Sequence, residues 1–285
     1  MEEIVSTSGP TWMLTGFGDE IDDDPDIQCL VLQALGASHI EIRSAWRTNV
    51  LSLDDEQIER LRECLNRRSM RVSSIASPIG KIDIGLPVAD SLASLERAIA
   101  LARTFETPYI RIFSFYRFAE QSPGEIRDAV LERIAALVRR AERESITLVH
   151  ENEKDIYGDT PGRVRDLIEA IGSERLRVVW DPANFVQVGI QPFSEGYTTL
   201  APYIDYVHVK DARLATGAVT PAGEGDGEWP STITALIQAN YAGFVSLEPH
   251  LSSVGNAGGI PSAATFGVAA RAFRRLAEQA GVILQ

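Results

Sequence analysis

The chain has 285 residues, close to the size of a single (β/α)8 barrel, and its 45% hydrophobic and 24% charged residues are ordinary for a globular protein. A formal net charge of −13 repels phosphate groups, which argues against nucleic acid as a partner. No apolar run reaches the roughly 18 residues of a membrane span, and the acidic start Met1–Val5 lacks an export signal, so we predict a cytoplasmic protein that does not enter the membrane.

Short runs rich in β-branched residues alternate with helical patterns along the whole chain. The predicted strands are 12–17, 39–43, 71–76, 108–113, 145–151, 176–181, 204–209 and 243–248, and the predicted helices are 25–36, 54–68, 88–105, 123–143, 160–172, 192–201, 230–240 and 262–280. Capping residues followed by proline, as in Asp24-Pro25 and Ser122-Pro123, support the helix starts. Strands that alternate with helices pair in parallel through crossovers. The pattern therefore predicts the α/β class, with a single (β/α)8 TIM barrel over residues 1–285.

The two cysteines, Cys29 and Cys64, both fall in predicted helices. We expect them to be reduced core thiols, as is usual in the cytoplasm.

Four predicted strands end on a side chain that can bind a metal ion. The strand ends are Leu148–Glu151, Val178–Asp181, Tyr206–His208 and Val245–Glu248. The carboxyl ends of parallel barrel strands meet at one mouth, so these side chains are expected to converge. Two glutamates, one aspartate and one histidine form an oxygen and nitrogen site that suits a hard or borderline divalent ion such as Mn²⁺ or Mg²⁺.

A buried ion-pair network is the structural alternative at these strand ends. Lys210 follows His208 by two residues, so we expect it to point the same way and to neutralise part of the cluster. Lys210 is also a candidate substrate-binding residue. The sequence shows no other Lys or Arg at these four tips, which favours the metal site.

The motifs around these residues resemble a known family. They are His150-Glu151-Asn152, Trp180-Asp181-Pro182-Ala183-Asn184, Val207-His208-Val209-Lys210-Asp211, Gly223-Glu224-Gly225-Asp226-Gly227 and Ser246-Leu247-Glu248-Pro249-His250. Together they resemble the sugar isomerase/epimerase branch of the xylose-isomerase-like barrels. The resemblance implies that Glu151, Asp181, His208 and Glu248 bind one divalent ion, with Mn²⁺ first and Mg²⁺ or Co²⁺ as alternatives. It also implies that Glu151 and Glu248 act as acid and base on a small sugar or cyclitol substrate.

The chemistry of such a site centres on a proton next to a carbonyl group. A divalent ion stabilises the enediolate that forms when this proton leaves, and a nearby carboxylate takes the proton. Two carboxylates on different strands suit an epimerase, and either alone suits an isomerase. The leading prediction is therefore a metal-dependent sugar isomerase or epimerase.

Two other functions remain open from the sequence. The same chemistry serves a metal-dependent lyase, either an inosose-type dehydratase or a subunit that removes the aglycone from a 3-oxo-glycoside. A non-catalytic barrel scaffold is the alternative from a different class. The sequence also leaves open a homo-oligomer or a small partner subunit.

Two positions near the strand ends bear on this choice. Asn184 stands where family members often carry a substrate-binding histidine, which weakens a match to the ketose 3-epimerases, although an amide can still bind a sugar hydroxyl. His250 lies two residues after Glu248 and is a catalytic candidate, as a general acid for elimination, with a plain loop histidine as the alternative. With only four histidines, the chain does not fit the three-metal DNA-repair enzymes of the superfamily.

The remaining substrate-binding candidates lie outside the four motifs. Glu41 interrupts an apolar strand, and as a buried carboxylate it needs a partner such as Arg43, Lys81 or the metal site. Arg111 alternates with isoleucines and is expected to point inward. Lys81 and Arg213 lie in loops after strands, where an exposed salt bridge is the alternative for both.

Overall fold

A computed structural model describes residues 9–118, 120–251 and 262–285. The segment Met1–Val5, in which we predicted no export signal, lies outside these residues. In the described part, nine strands form one parallel sheet in the order β9-β1-β8-β7-β6-β5-β4-β3-β2. They are β1 Thr11–Gly16, β2 His39–Ile42, β3 Arg71–Ile75, β4 Tyr109–Ile112, β5 Thr147–Glu151, β6 Leu176–Trp180, β7 Ile204–Val209, β8 Phe244–Leu247 and β9 Ile283–Leu284. A bridge between Phe17 and Glu41 joins β1 to β2 and closes the barrel.

Helices connect the strands and cover the outside of the barrel. They are α1 Pro25–Ala34, α2 Asp55–Arg67, α3 Val88–Thr104, α4 Pro123–Glu142, α5 Pro161–Ile171, α6 Pro182–Gln187, α7 Thr198–Leu200, α8 Trp229–Gln238 and α9 Ala263–Gln279. Short 3₁₀ turns lie at Gly18–Glu20, Val50–Ser52 and Ala201–Tyr203, and a π-helical turn at Pro192–Tyr197 runs into α7. The (β/α)8 prediction is confirmed, with strand and helix ends within one to three residues of the predicted bounds for all but the sixth predicted helix.

The predicted start signals are present in the structure. Asp24 accepts a hydrogen bond from the backbone N–H of Asp26. Ser122 and Glu125 form a capping box at the start of α4, where Pro123 occupies the first helical position. These contacts satisfy N–H groups that a helix end leaves free, and they fix where each helix leaves its loop.

Several small elements were not predicted, among them strand β9, and one predicted helix has a different form. Two antiparallel hairpins lie after β2 and β7, pairing Ser44–Ala45 with Thr48–Asn49 and Asp211–Ala212 with Val219–Thr220. Helix α6 starts directly after Asp181, and the predicted helix 192–201 is a π-helical turn followed by α7. They are all shorter than the window over which hydrophobic periodicity is informative.

The barrel interior has its own small apolar layer beneath the mouth. Val149, Val179 and Tyr206 are buried there, with Tyr109 and Phe244 packed against them. The larger core lies between the sheet and the helices. Both cysteines are buried free thiols, as predicted. Among the residues described, no helix has the length and apolarity that crossing a bilayer requires.

Candidate metal centre and active site

Four neighbouring strands bring the predicted ligands to one point. Glu151 ends β5, Asp181 follows β6 as the N-cap of α6, His208 lies near the end of β7, and Glu248 follows β8. All four are buried, and one ligand atom from each lies within 4.8 Å of the others. Donors that bind one ion at about 2.1–2.5 Å lie at most about 5 Å apart. The cluster therefore has the composition and the size for a single divalent ion.

The two nitrogens of the buried His208 ring have no hydrogen-bond partner in the structure. Nδ1 lies 3.4 Å from Glu151 Oε1 and 3.5 Å from Glu248 Oε2, facing the carboxylates. An unpartnered imidazole nitrogen aimed at two carboxylates is the donor arrangement that a metal ion completes.

Three basic side chains contact the same carboxylates. Lys210 Nζ lies 2.8 Å from Asp181 Oδ2 and 3.0 Å from Glu248 Oε2, as its position after His208 predicted. Arg111 NH1 lies 3.0 Å from Glu151 Oε2, and Arg43 NH1 lies 3.1 Å from Glu248 Oε1. The expectation that Lys210 alone would share the strand tips is therefore wrong. Arg111 lies on β4 and reaches Glu151 on the neighbouring strand β5. Arg43 follows β2 and reaches Glu248, which follows β8.

The charges of the cluster shift the pKa values of its members in different directions. Burial and the neighbouring Glu248 raise the pKa of Glu151, but His208 and Arg111 outweigh them and hold it at about 2. The pKa of Glu248 is also lowered, because Lys210 and His250 overcome the effect of burial. Burial raises the pKa of Asp181 to about 6 despite Lys210, with Glu151 and Glu248 adding to the rise. Glu151 and Glu248 are therefore ionised at neutral pH, because the surrounding cations stabilise their charges.

A polar cavity of about 210 Å³ opens above the cluster. Its lining residues are Arg43, Asn49, Ala76, Pro78, Lys81, Arg111, Glu151, Glu153, Lys210, Glu248 and His250. Glu151 and Glu248 line the cavity, whereas Asp181 and His208 do not. The four candidate ligands therefore divide into two that face the cavity and two that lie behind it. A polar cavity of this size suits a small hydroxylated molecule.

Four of the other predicted site residues line this cavity: Lys81, Arg111, Lys210 and His250. Lys81 pairs with Glu153 at 2.8 Å, and its ammonium lies 4.3 Å from the centre of the Phe113 ring. Lys81 is thus held at the cavity wall by one carboxylate and one aromatic ring.

Three predicted substrate-binding residues do not line the cavity. Asn184 is buried, and its side-chain amide donates to Glu151 Oε1 at 3.1 Å and to the Asn152 carbonyl at 2.8 Å. It holds the carboxylate that faces the cavity. Arg213 is exposed on the loop between the strands of the second hairpin.

Glu41 is the third of these residues, and its partners differ from two of those we expected. Arg43 and Lys81 pair elsewhere. Glu41 Oε2 instead accepts a hydrogen bond from the Tyr206 hydroxyl at 3.0 Å and lies 3.4 Å from His208 Nε2. It meets the cluster from the barrel interior, through His208.

His250 faces the cavity beside Glu248. Its Nδ1 lies 2.8 Å from Glu20 Oε1, its backbone N–H donates to Glu20 Oε2 at 2.7 Å, and its Nε2 lies 3.3 Å from Glu248 Oε1. Burial lowers the pKa of His250, but Glu248 and Glu20 outweigh it and raise the value to about 9. The imidazole is therefore oriented by one carboxylate and protonated at neutral pH.

Sequence reasoning missed four residues of this site: Glu20, Arg43, Asn49 and Glu153. Arg43 follows Glu41 by two residues and so lies on the same side of the chain, which is the signal that would have identified it. Glu20 lies in a 3₁₀ turn, Asn49 in a two-residue hairpin strand and Glu153 in a loop, and none of these is long enough for periodicity to indicate the direction of a side chain.

Comparisons with known proteins agree with this architecture. A family model described as xylose isomerase-like TIM barrel matches residues 30–282. The protein named 2-epi-5-epi-valiolone 7-phosphate 2-epimerase, from Actinoplanes sp., is 33% identical over 162 residues, which are 54% of this chain and 56% of that protein. The chain spans about half the length of the curated relatives it matches.

Solved structures share the fold at lower identity. A xylose isomerase-like TIM barrel protein from Mycobacterium smegmatis, in complex with magnesium, has a TM-score of 0.65 and 22% identity, over 88% of each chain. The probable 3-DHS dehydratase AsbF from Bacillus anthracis has a TM-score of 0.72 and 17% identity, over 92% of this chain and 98% of that one.

Proposed function

This chain belongs to the xylose isomerase-like TIM barrel family, and we propose that it is a divalent-metal-dependent isomerase or epimerase of a sugar or cyclitol. The observation that carries the proposal is the convergence of four ligand atoms within 4.8 Å of one another, directly beneath a small polar cavity. The epimerase from Actinoplanes sp. and the family support a sugar-like substrate.

The two carboxylates that face the cavity are the proposed acid and base. Glu151 and Glu248 both have lowered pKa values, so both are ionised at neutral pH and either can accept a proton. They lie on β5 and after β8, so they approach a bound substrate from different strands. One can remove the proton next to the carbonyl group and becomes a carboxylic acid. The other, ionised at rest, must first take a proton from solvent before it delivers one to the opposite face of the carbon, which is the requirement for epimerisation.

The other residues orient the substrate and hold the ion. A divalent ion on Glu151, Asp181, His208 and Glu248 would supply Lewis-acid stabilisation of the charge that develops on the substrate oxygen, with Mn²⁺ proposed first and Mg²⁺ or Co²⁺ as alternatives. Asn184 fixes Glu151 by donating to its Oε1. Arg111 and Lys210 line the cavity and offer donors to substrate hydroxyl groups.

One observation favours a second function, a lyase. His250 lines the cavity, Glu20 orients its ring, and its pKa is raised to about 9 by Glu248 and Glu20 acting against burial. A protonated imidazole at this place can give its proton to a leaving hydroxyl group. His250→Gln separates the two functions, because it removes elimination and leaves proton exchange next to the carbonyl.

The proposed function is tested by metal binding and by metal-dependent turnover. We expect isothermal titration to show one Mn²⁺ site, with lower Mn²⁺ affinity in His208→Ala. In a panel of ketoses and inososes, we expect at least one compound to be converted, and the conversion to stop when the metal is chelated. Glu248→Gln should lose turnover while retaining part of the metal affinity. Glu56→Gln, which removes one charge from the exposed first turn of α2, is the matched control. Folded protein that binds no divalent ion, or full activity in both site variants, would refute the proposal.

A further inference from the structure

We propose that Glu41 is a positioning residue that keeps the lone pair of His208 on Nδ1, the nitrogen that faces the carboxylate cluster; this inference rests on the proposed metal site. Glu41 was expected to bind substrate, but it is 1% exposed and does not line the cavity. It lies on β2, across the barrel from His208 on β7. The two side chains meet in the barrel interior, on the side of the ring away from Glu151 and Glu248.

The distances assign a different role to each ring nitrogen. Nδ1 lies 3.4 Å from Glu151 Oε1 and 3.5 Å from Glu248 Oε2, while Nε2 lies 3.4 Å from Glu41 Oε2. A neutral imidazole has one N–H and one lone pair, and a metal takes the lone pair. The contact between Nε2 and Glu41 Oε2 is a close charge contact without hydrogen-bond geometry. A carboxylate this near still favours the hydrogen on Nε2 and leaves the Nδ1 lone pair for the metal.

The surroundings hold both partners in place. The Tyr206 hydroxyl donates to Glu41 Oε2 at 3.0 Å and lies 2.9 Å from Ser73 Oγ. The rings of Phe17 and Tyr206 pack edge-on against His208, with centroids 5.1 Å and 5.7 Å away and interplanar angles of 79° and 87°. Turning the ring about Cβ–Cγ would place Cδ2 instead of Nδ1 at the cluster, and this packing opposes that turn. Nδ1 therefore stays towards the cluster, and the carboxylate beside Nε2 decides whether Nδ1 carries the lone pair.

Metal affinity is the first readout, because it does not depend on knowing the substrate. Removing a carboxylate that orients a ligating histidine typically weakens metal binding about 10- to 100-fold. We expect Glu41→Ala to raise the Mn²⁺ dissociation constant by this factor in isothermal titration. Glu41→Gln should have a smaller effect, because its amide oxygen still accepts a hydrogen bond. Glu56→Gln should bind Mn²⁺ like the unchanged protein. Glu41→Ala that folds and binds Mn²⁺ within twofold of the unchanged protein would overturn the proposal.

A second readout separates this inference from the proposed function. ¹⁵N NMR of the metal-free protein should show a slowly exchanging imidazole proton on Nε2 of His208, assigned by its loss in His208→Ala and absent in Glu41→Ala. If the protein shows this proton but binds no divalent ion, the proposed function is refuted and the contact between Glu41 and His208 is supported. If the proton is absent, the contact itself is refuted. If Glu41→Ala does not fold, Tyr206→Phe removes one support of Glu41 and is measured in the same way, with weaker Mn²⁺ binding expected and unchanged binding counting against the proposal.

Discussion

Lys210 provides the most informative perturbation, because its ammonium group lies where the cluster carries the most charge. Nζ is 2.8 Å from Asp181 Oδ2 and 3.0 Å from Glu248 Oε2, and the side chain is 3% exposed. Replacement by methionine keeps much of the volume and removes the charge. In the metal-free protein, two buried carboxylates then lose their shared partner.

The structure sets the size of the effect. Removing one member of a buried ion pair costs about 3–5 kcal/mol, because the remaining charge stays buried. At about 2–4 °C per kcal/mol for a domain of this size, metal-free Lys210→Met should melt about 6–20 °C below the unchanged protein. A divalent ion replaces the missing positive charge, and it no longer competes with an ammonium group. We therefore expect Mn²⁺ affinity to rise at least tenfold, or about 1.4 kcal/mol.

Differential scanning fluorimetry with EDTA and with Mn²⁺ measures both quantities. The difference in melting temperature between the two conditions should be larger for Lys210→Met than for the unchanged protein. Lys154→Met, at an exposed lysine, is the matched control and should change neither. A metal-free variant as stable as the unchanged protein, or one that Mn²⁺ does not stabilise further, would refute this reasoning. A variant that loses stability without any response to Mn²⁺ would favour an ion-pair scaffold.

Three further predictions concern stability and reactivity away from the cluster. Burial, with a smaller effect of Arg71, lowers the pKa of His39 from 6.5 to about 4. As the pH falls, the unfolded chain binds a proton at this histidine before the folded protein does. The free energy of unfolding should therefore fall by about 2 kcal/mol between pH 7.5 and pH 5. Urea denaturation should show that His39→Gln lacks this loss, and an equal loss in both proteins would contradict the assignment. Asp211 accepts backbone hydrogen bonds from Gly223, Gly225 and Gly227. Asp211→Ala should therefore lower the free energy of unfolding by about 2–4 kcal/mol and lower the melting temperature. An unchanged melting temperature would contradict this prediction. Burial and nearby Cys64 raise the pKa of Cys29 to about 12, so this thiol should react with Ellman's reagent only after unfolding; rapid reaction of the native protein would show that it is accessible.

The sequence was sufficient for the barrel and for the four side chains at its mouth. Strands of four to six residues with a carboxylate or imidazole at the end follow from alternation and from the parallel topology. Glu151, Asp181, His208 and Glu248 could be grouped before the structure because topology alone brings the carboxyl ends of neighbouring strands together.

Depth within the barrel could not be derived from the sequence. Alternation places Glu41 on the inner side of β2, but it does not distinguish a side chain that reaches the cavity from one that ends beneath His208. Asn184 lies outside the cavity lining for a related reason, since the short helix α6 turns its amide towards Glu151. The spacing of Arg43 from Glu41 indicates the side of the chain on which it lies, but not that its long side chain reaches Glu248.

The Gly-rich segment 223–227 shows that composition alone does not identify a phosphate-binding loop. Its glycines resemble a phosphate loop, but their backbone N–H groups donate to the Asp211 carboxylate. A Cβ atom on Gly225 would clash with the Ala212 carbonyl oxygen, and one on Gly227 would lie 2.6 Å from Asp211 Oδ1. The glycines are therefore required by the close approach of the chain to Asp211, and the segment is a structural loop before α8.

The most direct test of the central claim is exchange of the proton next to the substrate carbonyl. Mn²⁺-loaded protein would be incubated in D₂O with ketoses, inososes and 3-oxo-glycosides, and the products followed by NMR. We predict deuterium at the carbon beside the carbonyl of at least one compound, lost on chelation and in Glu248→Gln and retained in Glu56→Gln. Metal-loaded, folded protein that converts one of these compounds without exchanging this proton would contradict proton abstraction by the carboxylates at the barrel mouth.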